Sequence, residues 1–235
     1  MIMMSSYILL GDVFEHLFKY RKISRNEVKF LKLHDRSIFD RIISSGMEKS
    51  LLSVEENEIT LLKPIELLLL LEELIAVDTE KLARYIEWDE FERYVAEKLR
   101  SMGLDYVSSY KHNRIARFQI DVLALDLANK IGYIIECKHW KKSMSTSQIR
   151  QVVESHLIRV EKLLKNCEWI AVEIPAIRKI KYFIPLIFTL YAPKIHSLNG
   201  IPIVAIRFLN EFLAKIDMYI DLLEIKKYGN ACYSL

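Results

Sequence analysis

Two apolar segments separated by a short polar turn constrain this chain most. "RFQIDVLALDL" (117–127) runs through "ANKIG" into "GYIIECKHWKK" (132–142). Neither segment keeps the 3.6-residue spacing of a helix, and both are rich in the residues that fill buried strands. The short connection predicts an antiparallel hairpin. Successive strand side chains alternate sides, so Gly132, Ile134, Glu136 and Lys138 share one face of the second strand, and Tyr133, Ile135 and Cys137 the other. One face therefore stays apolar while the opposite face turns charged near the strand's end. In the first strand Asp121 stands on the side of Gln119, Leu123 and Leu125, and the hairpin register brings it toward Glu136.

With 235 residues, 51% of them hydrophobic and only 6 Gly and 5 Pro, the chain has enough apolar mass for one large domain or two small ones. Cys137, Cys167 and Cys232 lie far apart with no C-x-x-C pair. That spacing argues against a disulfide scaffold or a cysteine zinc site, and predicts a reducing, cytoplasmic setting. No H-x-x-H, H-E-x-x-H or G-x-x-x-x-G-K-[ST] spacing occurs, which argues against a zinc hydrolase or a nucleotide motor. No secretory leader is read at the N-terminus. "IELLLLLEELIAV" and "YFIPLIFTLY" are too short or too charged to span a bilayer, so no membrane partner is expected.

Net charge is only +3, but it is unevenly spread. Residues 19–36 hold seven Lys or Arg against two acids, and residues 66–97 hold ten acids against three Lys or Arg. A basic first lobe suits a polyanionic partner. "GDVFEHLFKYRK" puts Val13, Phe14, Leu17 and Phe18 on one helical face, and "SRNEVKFLKL" opens with the Ser24…Glu27 pattern of a capping box. "DRSIFDRIISSG" reads as a third helix with Ile38, Phe39, Ile42 and Ile43 inward and Gly46 as its stop. "SLLSVEENEITLL" reads as two strands turned through Glu55-Glu56-Asn57. Three helices and a hairpin follow the order of a winged helix-turn-helix over residues 10–63. In such a module the third helix enters the major groove, which would aim Arg36, Ser37, Asp40, Arg41 and Ser44 outward, with Lys49 near the wing. Winged helices also dimerise or dock proteins, so DNA contact and a homodimer both stand as readings. The expected domains are 1–78, with a helical connector, and 79–235.

In the second part "WDEFERYVAEKLRSMGL" is an amphipathic helix with Phe91, Val95, Leu99 and Met102 toward the core and Gly103 as its C-cap. A loop with Lys111, His112, Arg114 and Arg117 leads to the hairpin, and the helix "TSQIRQVVESHLIRVEKLLKN" follows it. Strands at 183–191 and 201–206 and a helix at 208–223 complete an expected α/β fold with a mixed sheet of four to five strands.

Helix, strand with Asp121, strand with Glu136-x-Lys138, then helix: over residues 88–165 this order resembles the PD-(D/E)XK nuclease superfamily. The likeness is nearest to Mrr-like restriction endonucleases and archaeal Holliday junction resolvases. "FERYVAEKLRSMG", "IDVLALD" and "IIECKHWKK" carry it. Mrr-like enzymes often have an N-terminal winged helix, which agrees with the reading of residues 10–63. The resemblance implies a metal-dependent DNA endonuclease with Asp121 and Glu136 as metal ligands, Lys138 as catalytic lysine and Glu92 as the helix glutamate. Ile120 stands where a Pro or Gly often precedes the aspartate in relatives.

The residue chemistry agrees with that implication. Two carboxylates and the Cys137 carbonyl are hard oxygen donors suited to Mg²⁺ or Mn²⁺, and a lysine beside them can stabilise phosphoryl charge. Arg114, Arg117, His139, Lys141 and Lys142 are placed to track a phosphate backbone, with Gln148 early in the following helix. The alternative is a DNA-binding regulator whose nuclease-like domain has retired from catalysis, and a nuclease acting on RNA is a third reading.

Overall fold

In the computed structural model, residues 9–113, 116–140, 142 and 144–234 are described, and the chain divides into two compact units, Met1–Glu87 and Trp88–Leu235. The first unit begins with α1 (Leu10–Tyr20), whose Val13, Phe14, Leu17 and Phe18 are buried as the helical spacing predicts. β1 (Lys22–Ser24) leads into the single-turn α2 (Arg25–Val28), where Ser24 and Glu27 form the capping box reciprocally. α3 (Leu33–Glu48) buries Phe39, Ile42 and Ile43, while Ile38 is only half-buried. Gly46 does not end this helix. It sits buried inside the last turn, where the Leu52 side chain occupies the space a Cβ would need, and the left-handed residue comes later, at Ser50.

β2 (Leu52–Glu55) and β3 (Glu58–Leu61) pair antiparallel through a turn at Glu56-Asn57, as expected. The surprise is β1, which pairs with β3 to give the order β1-β3-β2. Three residues between two helices are too few for a periodic pattern to register. α4 (Pro64–Leu74) starts on its proline, and α5 (Thr79–Ala83) is capped by Asp78. Glu15 on α1 accepts Lys81 at 2.6 Å and the Tyr85 hydroxyl at 2.8 Å, and also pairs with Arg84, so this polar cluster ties α5 to α1.

In the second unit α6 (Trp88–Ser101) buries Phe91, Tyr94, Val95 and Leu99. Gly103, at φ +82°, follows it, and the Gly103 and Leu104 N–H groups return to the Arg100 and Leu99 carbonyls, closing the last turn. Met102 lies at the surface rather than in the core. The segment expected as a loop is largely a strand, β4 (Asp105–His112). Its polar, serine-containing sequence reads as irregular because it lies at the edge of the sheet with much of it exposed.

β5 (Phe118–Asp126) and β6 (Ile131–Lys138) form the expected antiparallel hairpin, registered Val122 to Ile135 and Leu123 to Ile134. Asp126 holds the turn by accepting the Asn129 backbone N–H. α7 (Thr146–Lys165) and α8 (Cys167–Glu173) lead to β7 (Tyr182–Thr189), which runs parallel to β6. Gly132 is required there, because a Cβ would lie 2.4 Å from the Phe183 ring.

β8 (Ser197–Leu198), β9 (Ile201–Ala205) and β10 (Tyr228–Gly229) bring the mixed sheet to seven strands, in the order β4-β5-β6-β7-β9-β8 with β10 on β7. Seven exceeds the four to five expected because β8 and β10 are only two residues long and β4 lacks an apolar alternation. The terminal helix is also broken, into α9 (Leu209–Ala214) and α10 (Ile216–Leu222).

A main core gathers Leu123, Leu125 and Ile134 from the hairpin with Val160 and Leu163 from α7 and Phe183 from β7. A second cluster packs Ile149, Val152 and Val153 of α7 on Ile187, Ile201 and Ile203. β6 is buried from Gly132 to Cys137, as a central strand covered on both faces must be. One disulfide, Cys167–Cys232, spans 65 residues with its Cα atoms 6.0 Å apart, a pairing that the reading against a disulfide scaffold did not anticipate. Spacing could not reveal the pair, because the sheet brings the chain's end back beside α8. Among the described residues no helix is long and apolar enough to cross a membrane.

Candidate active site

β5 and β6 are hydrogen-bonded neighbours, and at the end of their pairing Asp121 and Glu136 come together. The Asp121 Oδ2 accepts the Cys137 backbone N–H at 2.8 Å. Asp121 is 6% exposed and Glu136 3%, in a chain where unpaired buried carboxylates are costly. Lys138, two residues beyond Glu136 and on the same side of the strand, forms an ion pair with its Oε1. The three residues expected to carry chemistry are therefore assembled by one hairpin.

Glu92 joins them from α6. It is buried, its Oε2 accepts the Ser109 hydroxyl at 3.1 Å, and its Oε1 is enclosed without a donor while the Asp121 carboxyl lies within hydrogen-bonding reach of the group. Ser109 itself adopts a left-handed conformation (φ 49°) in the middle of β4, opposite the place where the ladder to β5 skips Asp121. Burial first, and then the Asp121 charge, push the Glu92 carboxyl up to about 7. Burial and the Glu136 charge likewise push Asp121 up to about 6, against the Cys137 N–H, which favours its anion. The cluster thus concentrates negative charge beyond what its own cations relieve.

Two further residues of the site carry no strand-motif signature. Arg159 of α7 pairs through Nη2 with Glu136 Oε2. His156, one turn earlier, is fully buried, with Nε2 3.0 Å from the Ile134 carbonyl and Nδ1 3.8 Å from Glu136. Burial lowers the imidazole to about 4, so it is neutral, and the tautomer that satisfies Ile134 carries its proton on Nε2. Sequence reasoning missed both. The available signal was a pair of polar residues, three apart, set into the apolar stripe Val152–Val153–Val160–Leu163 of α7. Cys137, the free thiol, is fully buried and its pKa is raised by that burial, which leaves it unreactive.

The remaining expected residues are dispersed. His139 is half-buried with its ring 5.2 Å from Phe91, and Trp140 packs on the second core cluster. Arg117 and Lys142 are exposed, whereas Arg114 and Lys141 lie outside the described residues. Gln148 does not face the carboxylates: its Oε1 accepts the Ser145 N–H at 2.9 Å, closing the capping box that starts α7. In the first unit Arg36, Ser37, Asp40, Arg41, Ser44 and Lys49 are all exposed on or just after α3.

Among the described residues no three His, Cys, Asp or Glu side chains converge in metal-holding geometry. A magnesium-type ion does not need three, since it commonly uses one or two carboxylates and keeps several waters. Asp121, Glu136 and the Cys137 carbonyl are donors of that kind, and the orphaned Glu92 Oε1 and the raised carboxyl pKa values mark a place where added positive charge is favoured. The donor set fits a hard divalent cation.

The seven-stranded mixed sheet, with two buried carboxylates and a lysine at the end of a central hairpin, is consistent with a nuclease-like core. Residues 83–161 match Mrr_cat, a restriction endonuclease family of the PD-(D/E)XK type. No curated protein matches the chain. Among solved structures, protein VC1899 from Vibrio cholerae is similar at 12% identity and a TM-score of 0.37, over 94% of this chain and 53% of that one. The chain spans about half the length of that protein.

Proposed function

We propose that the Trp88–Leu235 unit is a Mg²⁺- or Mn²⁺-dependent DNA endonuclease of the Mrr-like restriction or junction-resolving kind. The observation that carries the reading is the buried meeting of Asp121 and Glu136 on adjacent strands, with Lys138 beside them, inside the span matched by the Mrr_cat family. Asp121, Glu136 and the Cys137 carbonyl would hold the cation. When bound, it neutralises phosphate charge and lowers the pKa of water. Lys138 Nζ donates to the phosphoryl oxygens as negative charge builds on them during attack. Glu92, through Oε1, orients water next to Asp121. The Cys137 N–H keeps Asp121 in one rotamer, so its charge is fixed in direction before substrate arrives.

Met1–Glu87 is read as a winged helix-turn-helix that brings duplex DNA to the nuclease. Support comes from the three helices, the three-stranded sheet with a β2–β3 hairpin, and the exposed Arg36, Ser37 and Arg41 on α3 with Lys49 just beyond it. In the second unit Arg117, His139 and Lys142 are the described candidates for backbone contact, with Arg114 and Lys141 beside them in sequence. The test incubates the purified chain with linear, branched and methylated DNA in Mg²⁺, Mn²⁺, Ca²⁺ or EDTA. Metal-dependent cleavage of at least one substrate is expected, and binding without cleavage in every metal would point to a regulator instead.

A further inference from the structure

Glu136 is shared by two cations that arrive from different directions. Lys138 is on the same strand, and its position beside Glu136 follows from the backbone. Arg159 reaches in from α7, 23 residues further along the chain. A divalent cation held between Asp121 and Glu136 draws on the same Glu136 oxygens that these two side chains now occupy, so at least one must give way. Lys138 is the more enclosed, at 19% exposure against 26% for Arg159. Arg159 is also the less committed of the two. Only Nη2 of its guanidinium meets Glu136, and its Nε is buried without a partner. His156 lies behind the same carboxylate, its Nδ1 3.8 Å from Glu136.

We propose that Arg159 is a further catalytic residue of this site: it guards Glu136 in the metal-free protein and turns its guanidinium onto the scissile phosphate once a divalent cation takes the carboxylate. The inference rests on the nuclease reading above and adds to it a residue that the strand motif does not contain. A guanidinium suits the second task because its planar donors match two phosphoryl oxygens at once, which an ammonium cannot do. Its length suits both tasks, since a side chain anchored on a helix one turn from His156 can swing without disturbing the Val160 and Leu163 packing beneath it. The consequence is that the positive charge leaving Glu136 is not lost to solvent. It stays within the site and meets the charge that develops on the substrate.

The test compares full-length wild type, Arg159→Met and Arg159→Lys, with Mn²⁺ binding followed by calorimetry in the absence of DNA. Single-turnover cleavage at saturating Mg²⁺ and DNA affinity in Ca²⁺ complete the set. Removing a competing cation should tighten Mn²⁺ binding in Arg159→Met by about 3- to 10-fold, while the cleavage rate at saturating metal falls by about 10²- to 10³-fold. DNA affinity in Ca²⁺ should change less than about threefold. Arg159→Lys should keep near wild-type Mn²⁺ affinity yet remain at least about tenfold slow, because charge alone does not replace the fork. An Arg159→Met variant that binds Mn²⁺ no tighter than wild type, or either variant cleaving at the wild-type rate, overturns the proposal. If Arg159→Met fails to fold, the Arg159→Lys rate decides alone. Wild type that cleaves no DNA overturns the nuclease reading instead, and the Mn²⁺ comparison still settles whether Arg159 guards Glu136.

Discussion

The Asp121 carboxylate accepts the Cys137 backbone N–H at 2.8 Å, so one acidic side chain is anchored to the strand that carries the other. Asp121 cannot drift without breaking a buried hydrogen bond, and the pair is set before any ligand arrives. Asp121→Ala, Glu136→Ala and Lys138→Ala should each lower single-turnover cleavage by about 10²-fold or more. Far-UV circular dichroism should stay close to wild type. Wild-type rates in all three variants would remove these residues from the chemistry.

Metal dependence follows from the oxygen-only donors. Mg²⁺ and Mn²⁺ should support cleavage, and Ca²⁺ should permit DNA binding with little turnover, being larger and a weaker Lewis acid. A gel assay across the three ions and EDTA checks this, and full activity in EDTA counts against a carboxylate-held cation.

The polar cluster on α1 gives the first unit an acid sensitivity. The Lys81 ammonium, with Tyr85 and Arg84, holds Glu15 at about 2, below its ordinary value. A carboxylate depressed in the folded state adds stability that is complete above its unfolded value, near 4.5, and is lost as pH falls toward 2. Glu15→Gln should therefore destabilise Met1–Glu87 at pH 7 by about 1–2 kcal/mol, after discount for solvent screening. Urea unfolding at pH 7 and pH 2.5 should show that difference shrinking, and a constant difference would refute the linkage.

Cys167–Cys232 closes a long loop in the second unit. The chain-entropy account gives it about 4 kcal/mol against the unfolded state. Adding reductant, or Cys232→Ser, should lower the unfolding midpoint of Trp88–Leu235 and leave that of Met1–Glu87 unchanged. Calorimetry with and without dithiothreitol separates the two transitions.

The exposed arginines of α3 test the role of the first unit. Arg36→Ala with Arg41→Ala should weaken duplex binding and reduce the salt slope by about 0.9 for each phosphate no longer neutralised. Fluorescence anisotropy across a salt titration reads both. Unchanged affinity and slope would assign this lobe to a protein partner or a second subunit.

What the sequence determined by itself was local. The period of 3.6 set the buried face of α1, the Ser24–Glu27 box set the start of α2, and the period of 2 placed Glu136 and Lys138 on one side of β6. Because the β5–β6 turn is short, even the meeting of Asp121 with Glu136 was within reach of pattern alone. These features depend on backbone dihedrals and on residues a few positions apart. Tertiary structure decided the rest. It brought His156 and Arg159 to Glu136, joined β1 to β3, recruited the two-residue strands β8 and β10, and set Cys232 against Cys167. Gly46 has the look of a helix stop until Leu52 packs against it, and Gln148 that of a residue facing the site until Ser145 claims it. Each of these depends on which surfaces bury each other across many residues of chain. That choice is made by the summed packing of the core, and no short window of sequence contains it.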